Sequence, residues 1–209
     1  MDANEHSPAD RSRTLGAILA GGRGTRLGGV DKAGGMLAGV PMVIRVADRL
    51  TPQVDSLVLV RRMAGYDDHG IASIADGEFA GQGPLAGLLA ALRHAAARGL
   101  DRVLSVPTDT PFLPPDLHAR LVQQAGTHGV AIAASAGRCH PVVGLWPNHA
   151  AARIEALLER GERRIGHLAA VMDARVAGWP ADGVDPFFNV NTASDLAEAE
   201  RLLGPVLSD

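Results

Sequence analysis

Only one of the 20 Lys and Arg side chains in this chain is a lysine, Lys32. Cysteine is equally scarce: Cys139 stands alone, which excludes an internal disulfide and any multi-cysteine zinc site. Its neighbour His140 does not make it a metal pair, because adjacent residues on a strand point to opposite faces; a partly buried, inert thiol is expected. Aromatic residues are 3% of the 209, so the core is aliphatic and no platform of stacked rings for nucleobases is expected. A net charge of -3 argues equally against binding along a phosphate backbone, so nucleic acid is not an expected partner. No apolar run reaches bilayer length and the first residues carry no signal-peptide core, so no membrane association is expected and a cytoplasmic location is. Residues 1–14 read as a disordered polar leader, and residues 15–209 as one domain, long enough for a sizeable core.

What is present is an alternation of short apolar runs and longer helical patterns. Strands are predicted at residues 15–20, 57–60, 71–75, 102–106, 130–134 and 141–146, with a short extended piece at 175–177. Helices are predicted from Pro41 to Leu50, from Pro84 to a stop at Gly99, and from Pro114 to Ala125. Two more are predicted at residues 150–160 and 192–203, the last with Thr192 as N-cap and Asp195 completing an approximate capping box. This order implies an α/β fold, a single Rossmann-like domain whose mostly parallel sheet carries helices on both faces.

Ligands of such sheets sit beyond the carboxyl ends of the strands. The run LAGGRGTRLGGVDK begins inside the first strand at Leu19 and ends at Lys32. Gly21 and Gly22 let main-chain N–H groups approach an anion, and Arg23, Arg26 and Lys32 add positive charge. An ammonium is a compact point charge that fits among phosphate oxygens, whereas guanidinium suits planar bidentate pairing. Neither the dinucleotide fingerprint nor the P-loop pattern is met, so this is a phosphate-cradling loop of another design. Asp109, in the proline-stiffened PTDTP turn after a strand, offers the hard oxygen that Mg²⁺ prefers, although aspartate at such a place also caps turns. Asp76 ends a strand before a glycine-rich stretch, where a turn-forming role is the alternative. Asn189 and Asn191 flank Val190 in an extended stretch that puts both amides on one side.

The glycine run resembles the signature of nucleotidyltransferases that activate a phosphorylated acceptor with a nucleoside triphosphate, and most closely that of the molybdenum cofactor guanylyltransferases. GPLAGLLAAL from Gly83, VPTDTPFLPPDL from Val106, RCHPVVGLW from Arg138, GERRI from Gly161 and FNVNTASDL from Phe188 resemble that family's later motifs, in order. The resemblance implies a nucleotide-diphospho-sugar transferase-like fold and Mg²⁺-dependent transfer of GMP from GTP to the terminal phosphate of Mo-molybdopterin. It implies nucleotide contacts from Leu19, Ala20, Gly21, Gly22, Lys32, Asp76 and Asp109, with Lys32, Arg26 and Asp109 catalytic and Asp109 the metal ligand. It implies acceptor contacts from Asn189, Asn191, Arg163, Arg164 and His140, and transient contact with proteins that deliver molybdopterin or receive the product. Where the family often carries an asparagine after its second strand, this chain has Val60, Arg61 and Arg62, leaving only a backbone contact at Val60.

Two alternatives stay open on the sequence. One is a molybdopterin cytidylyltransferase or another nucleotidyltransferase with a phosphorylated acceptor, against which LAGG stands where cytidylyl-transferring relatives tend to show LAAG. The other is a non-catalytic nucleotide-binding adaptor, which has no need of a metal carboxylate such as Asp109.

Overall fold

The structure is a computed structural model, and it describes residues 13–20, 35–61, 65–66 and 70–204. The leader apart from Arg13 and Thr14, and the glycine-run residues Gly21, Gly22, Arg26 and Lys32, lie outside the described residues. So does Arg62.

β1 (Thr14–Leu19) is buried along its whole length, as expected of a central strand covered on both faces. It pairs in parallel with β4 (Ser56–Arg61) on one side and β7 (Arg102–Pro107) on the other. β6 (Ala72–Ala75) continues the sheet beyond β4 in parallel, and β5 (Gly65–Tyr66) closes that edge antiparallel. On the other side β9 (Arg138–Pro147) runs antiparallel to both β7 and β8 (Ala131–Ser135), and β10 (Arg175–Trp179) pairs in parallel with β8. The order β10-β8-β9-β7-β1-β4-β6-β5 makes an eight-stranded, mostly parallel sheet. Because β9 is antiparallel to both its neighbours, β8 and β10 run in the direction of β1, and their carboxyl ends share one edge with those of β4, β6 and β7. The small hairpin of β2 (Met36–Leu37) and β3 (Val40–Pro41) stands apart.

Side chains of β1 alternate between two layers. Leu15, Ala17 and Leu19 pack with α2 (Pro84–Ala97), α4 (Ala150–Glu159) and α5 (Ile165–Val171). Ile18 packs with Val43, Val46 and Leu50 of α1 (Met42–Leu50) and with Leu117 and Leu121 of α3 (Leu117–Ala125). Gly16 lets the α1 side close on bare backbone: a Cβ there would stand 2.9 Å from Leu57 Cδ1 and Val54 Cγ2. α6 (Ala193–Leu203) follows Thr192, whose side chain accepts from the Asp195 N–H while Asp195 reaches back, so the expected capping box is formed.

Several boundaries differ from the sequence reading, each for a local reason. Thr14, placed with the leader, belongs to β1, where its N–H donates to Asp55 Oδ2 at 2.7 Å. Pro41 caps α1 rather than opening it. α3 begins at Leu117 instead of Pro114, since a residue preceding proline is disfavoured in helical conformation. β9 starts at Arg138, and Pro141 lies inside it where the ladder to β8 slips between Ile132 and Ala133. Proline has no N–H to give to a ladder, so an irregularity is where a strand tolerates it. Helix α5 was not expected from the periodicity. Cys139 is exposed rather than partly buried, because it sits at the tip of the β8–β9 hairpin.

That hairpin turns on Ala136 and Gly137, with φ of 47° and 72° between the paired residues Ser135 and Arg138. Two positive φ values in a two-residue loop define the turn for which Asn-Gly is preferred, and alanine is a strained occupant of the first place. Ala136→Asn is therefore expected to stabilise the protein by about 1 kcal/mol, read as a raised urea midpoint at unchanged slope; a lowered midpoint contradicts this.

Candidate functional site

The chain runs from β1 to β4 and β6 on one side, then returns to β7 on the other, so the strand order reverses at the β1–β7 pair. That is where an open α/β sheet forms its crevice. Leu19 is in register with Pro107 and with Val60, and the Ala20 N–H donates to the Val60 carbonyl at 2.8 Å. The glycine run thus leaves β1 directly beside the turn that carries Asp109. Leu19 itself is core, so any contact it makes with a ligand is through its main chain. Val60 is likewise buried, and its carbonyl is committed to Ala20.

After Pro107 the chain turns through Thr108 and Thr110, both buried, with Thr110 Oγ1 donating to the Pro107 carbonyl at 3.3 Å. Asp109 between them is half-buried with its Oδ1 out of solvent. Its carbonyl accepts from the Val190 N–H at 2.9 Å. Val190 is fully buried against Leu37, Met42 and Phe112, whereas Asn189 and Asn191 on either side are exposed. The alternation expected for an extended stretch is therefore present. Asp195 Oδ2 accepts from the N–H groups of Asn191 (2.9 Å) and Thr192 (2.8 Å), so the α6 capping box also fixes the Asn191 backbone. One backbone hydrogen bond and one buried valine bring Asp109, Asn189 and Asn191 together from distant parts of the chain.

Asp76 follows β6, its N–H donating to the Arg61 carbonyl at 3.0 Å. The side chain is only 4% exposed, yet Oδ2 meets just the Gly81 N–H at a long 3.4 Å, and Oδ1 is buried without a hydrogen-bond partner among the described residues. A buried carboxylate oxygen left unsatisfied is costly, and such groups point to a ligand, an ion or water. The loop returns to α2 through Gly83, whose φ of 84° disfavours any side chain. A Cβ on Gly83 would lie 3.6 Å from the Arg163 carbonyl, so the GERRI segment rests against the amino end of α2.

Arg163 and Arg164 precede α5 and are exposed. Arg164 is engaged twice by Glu162, with Nε–Oε1 at 3.1 Å and Nη2–Oε2 at 2.9 Å, although its side chain stays 80% exposed. Glu162 also accepts the N–H groups of both arginines and lies 2.6 Å from His167 Nδ1. The Arg164 side chain, then the two backbone donors and His167, hold the Glu162 carboxyl far below the usual carboxylate range. Arg163 has no ion pair among the described residues.

His140, near the start of β9, is half-buried at the same sheet edge. Its ring stands 5.1 Å from Phe187, and burial, reinforced by Arg138 and opposed by Asp185, pushes its pKa down. Its Nε2 lies 2.9 Å from Ser135 Oγ, and that hydroxyl is 2.6 Å from Asp185 Oδ1. Neither Ser135 nor Asp185 was singled out from the sequence; a serine ending an apolar strand and an aspartate before proline carry no local signal of their own.

Among the described residues, no group of three or more His, Cys, Asp or Glu is arranged to hold a metal ion. The donor set at the β7 end, one carboxylate beside amide side chains, suits a hard cation that completes its shell from substrate phosphate and water. Among the described residues no helix is long and apolar enough to cross a membrane.

Residues 16–174 match the MobA-like NTP transferase domain. The chain is 45% identical over 196 residues to a molybdenum cofactor guanylyltransferase of Cereibacter sphaeroides, covering 91% of this chain and 97% of that one. It is 44% identical over 207 residues to a protein of the same name from Rhodopseudomonas palustris, covering 93% and 96%. In three dimensions it resembles the molybdopterin-guanine dinucleotide biosynthesis protein A of Archaeoglobus fulgidus, with a TM-score of 0.69 at 24% identity over 90% and 98% of the two chains. A 4-diphosphocytidyl-2C-methyl-D-erythritol synthase of Anaerococcus prevotii shares the fold, with a TM-score of 0.70 at 14% identity over 93% and 97%.

Proposed function

Because the chain belongs to the MobA-like NTP transferase family and is a nucleotidyltransferase of the molybdenum cofactor guanylyltransferase kind, we propose that it transfers GMP from GTP to the terminal phosphate of Mo-molybdopterin, with release of pyrophosphate. The observation that carries this reading is the Val190–Asp109 hydrogen bond, which unites a hard carboxylate with Asn189 and Asn191 where the glycine run leaves β1.

In this reaction an oxygen of the acceptor's phosphate forms a bond to the α-phosphorus of GTP, and the bond from that phosphorus to the bridging oxygen of the β-phosphate breaks. The attacking oxygen is already anionic at neutral pH, so no general base is required. The obstacle is charge repulsion, and catalysis is positioning and neutralisation. Lys32 and Arg26 bind the triphosphate together with main-chain N–H groups at Gly21 and Gly22, Leu19 and Ala20 contributing through their backbone. Asp109, with Asn191 beside it, would hold Mg²⁺, which when bound neutralises phosphate oxygens and the departing pyrophosphate. Asn189, Arg163, Arg164 and His140 face the acceptor; Arg163 is the better placed arginine for its phosphate, since Arg164 is paired with Glu162.

Asp76 reads the base. Guanine offers adjacent N–H donors on its pairing edge, and the buried, unsatisfied Oδ1 of Asp76 is an acceptor in want of one. Asp76→Asn is expected to weaken GTP binding by about 10- to 100-fold, the worth of a hydrogen bond to a charged group, as read by calorimetry. Unchanged affinity removes Asp76 from the nucleotide site. The activity itself is tested by pyrophosphate release from purified protein with Mg²⁺ and molybdopterin, GTP and CTP in parallel. Turnover with GTP is expected; turnover with CTP alone favours a cytidylyltransferase, and GTP binding without turnover favours an adaptor.

A further inference from the structure

Asp185, Ser135 and His140 form a chain of hydrogen bonds that joins three separate segments at the carboxyl edge of the sheet. Ser135 ends β8, His140 lies in β9 beyond the hairpin, and Asp185 sits in the connection before Phe187. The serine hydroxyl has one hydrogen to give. Its contact with the carboxylate, at 2.6 Å, is the shorter and charge-assisted one, and an ionised carboxylate only accepts. Ser135 therefore donates to Asp185 and must accept at its other contact, so His140 Nε2 carries the proton that points at Ser135.

The remaining nitrogen follows from this. In a neutral imidazole one nitrogen donates and the other accepts, and Nε2 has been assigned as the donor. Nδ1 is then an acceptor, and it has no hydrogen-bond partner among the described residues. Asp185 is itself fixed, because its Oδ1 also accepts from the Phe187 N–H at 2.9 Å, and Phe187 packs on the His140 ring and edge-on to Trp179 at 5.2 Å. Ring, tautomer and orientation are all held from behind.

We propose that Ser135 and Asp185 are positioning residues that lock His140 as the Nε2-protonated imidazole, so that Nδ1 accepts a hydrogen bond from a ring N–H or amine edge of the acceptor's heterocycle. This rests on the acceptor half of the function proposed above. It assigns His140 to a neutral N–H donor edge and not to the acceptor's phosphate, which a bare nitrogen lone pair repels. A hairpin staple is the plain structural alternative, since the same bonds tie the β8–β9 turn to the connection at Asp185.

The test has a spectroscopic arm independent of turnover. Full-length protein labelled with ¹⁵N-histidine is examined by long-range nitrogen–proton correlation at neutral pH, the His140 signals being identified by their loss in His140→Asn. Protonated Nε2 and bare Nδ1 are expected, with both nitrogens moving toward an averaged tautomer mixture in Ser135→Ala. Protonated Nδ1 in the unsubstituted protein overturns the proposal, whatever the activity. The second arm measures equilibrium binding of molybdopterin and of GTP separately. Ser135→Ala and Asp185→Asn should each weaken molybdopterin binding by about 10-fold, the worth of one hydrogen bond, with GTP affinity unchanged. His140→Asn, whose Oδ1 stands near the place of Nδ1, should retain more affinity than His140→Ala. A fixed tautomer with equal losses for both ligands, or with none, leaves the relay a staple and overturns its role toward the acceptor; loss of guanylyl transfer from the unsubstituted protein overturns the proposed activity without touching the tautomer result.

Discussion

Alanine in place of Asp109 is expected to lower kcat/KM by on the order of 10²-fold or more, comparable to removing one preorganised charge-stabilising group. The fold should survive, because the bond that ties this turn to Val190 uses the carbonyl of residue 109 and not its side chain. The two Thr neighbours that pack the turn are also untouched. Asp109→Asn preserves shape and removes charge, so it should fail nearly as badly if the carboxylate holds a cation, and either variant should need more Mg²⁺ for half-maximal rate. The thermal midpoint serves as control. Activity within a few-fold of the unsubstituted protein, with the fold intact, would reduce Asp109 to a turn residue.

The second large effect is expected at Lys32. Lys32→Ala should also cost on the order of 10²-fold or more, and Lys32→Arg should fail to restore the rate. Both cations carry the same charge, but guanidinium is a wide planar fork and ammonium a compact donor of three hydrogens. Since this is the chain's single lysine, an amine-acylating reagent has one side chain to modify, and GTP with Mg²⁺ should protect it. A fully active Lys32→Arg protein would show that only charge matters there, and acylation without loss of activity would remove Lys32 from the site.

What the sequence made legible follows from what is local. The apolar run at β1, the proline and glycine that bound α2, and the Thr192–Asp195 box are short-range signals, and each element is present with its ends at or beside the expected residues. The Asn189–Val190–Asn191 alternation was legible for the same reason, two-residue periodicity needing no partner. Its junction with Asp109 was not, because a backbone hydrogen bond between distant segments leaves no trace in either. The antiparallel insertion of β9 between β7 and β8 is likewise a choice of neighbour, which strand composition does not encode. Pro141 misled the boundary of β9 because proline marks a strand start and a bulge alike. Ser135 and Asp185 became visible only once the hairpin and the connection to Phe187 had met. At the glycine run the balance is reversed: the residue types speak for a triphosphate cradle, and Gly21, Gly22, Arg26 and Lys32 are outside the described residues.

Nucleotidyl transfer is defined by which phosphate bond breaks, and labelled GTP reports it directly. With GTP carrying its label at the α-phosphate, the label is expected in the molybdopterin dinucleotide product, while label at the γ-phosphate leaves in pyrophosphate. Label from the γ-position found on the acceptor, or released as orthophosphate, would mean that cleavage falls elsewhere in the triphosphate and would contradict nucleotidyl transfer at this site.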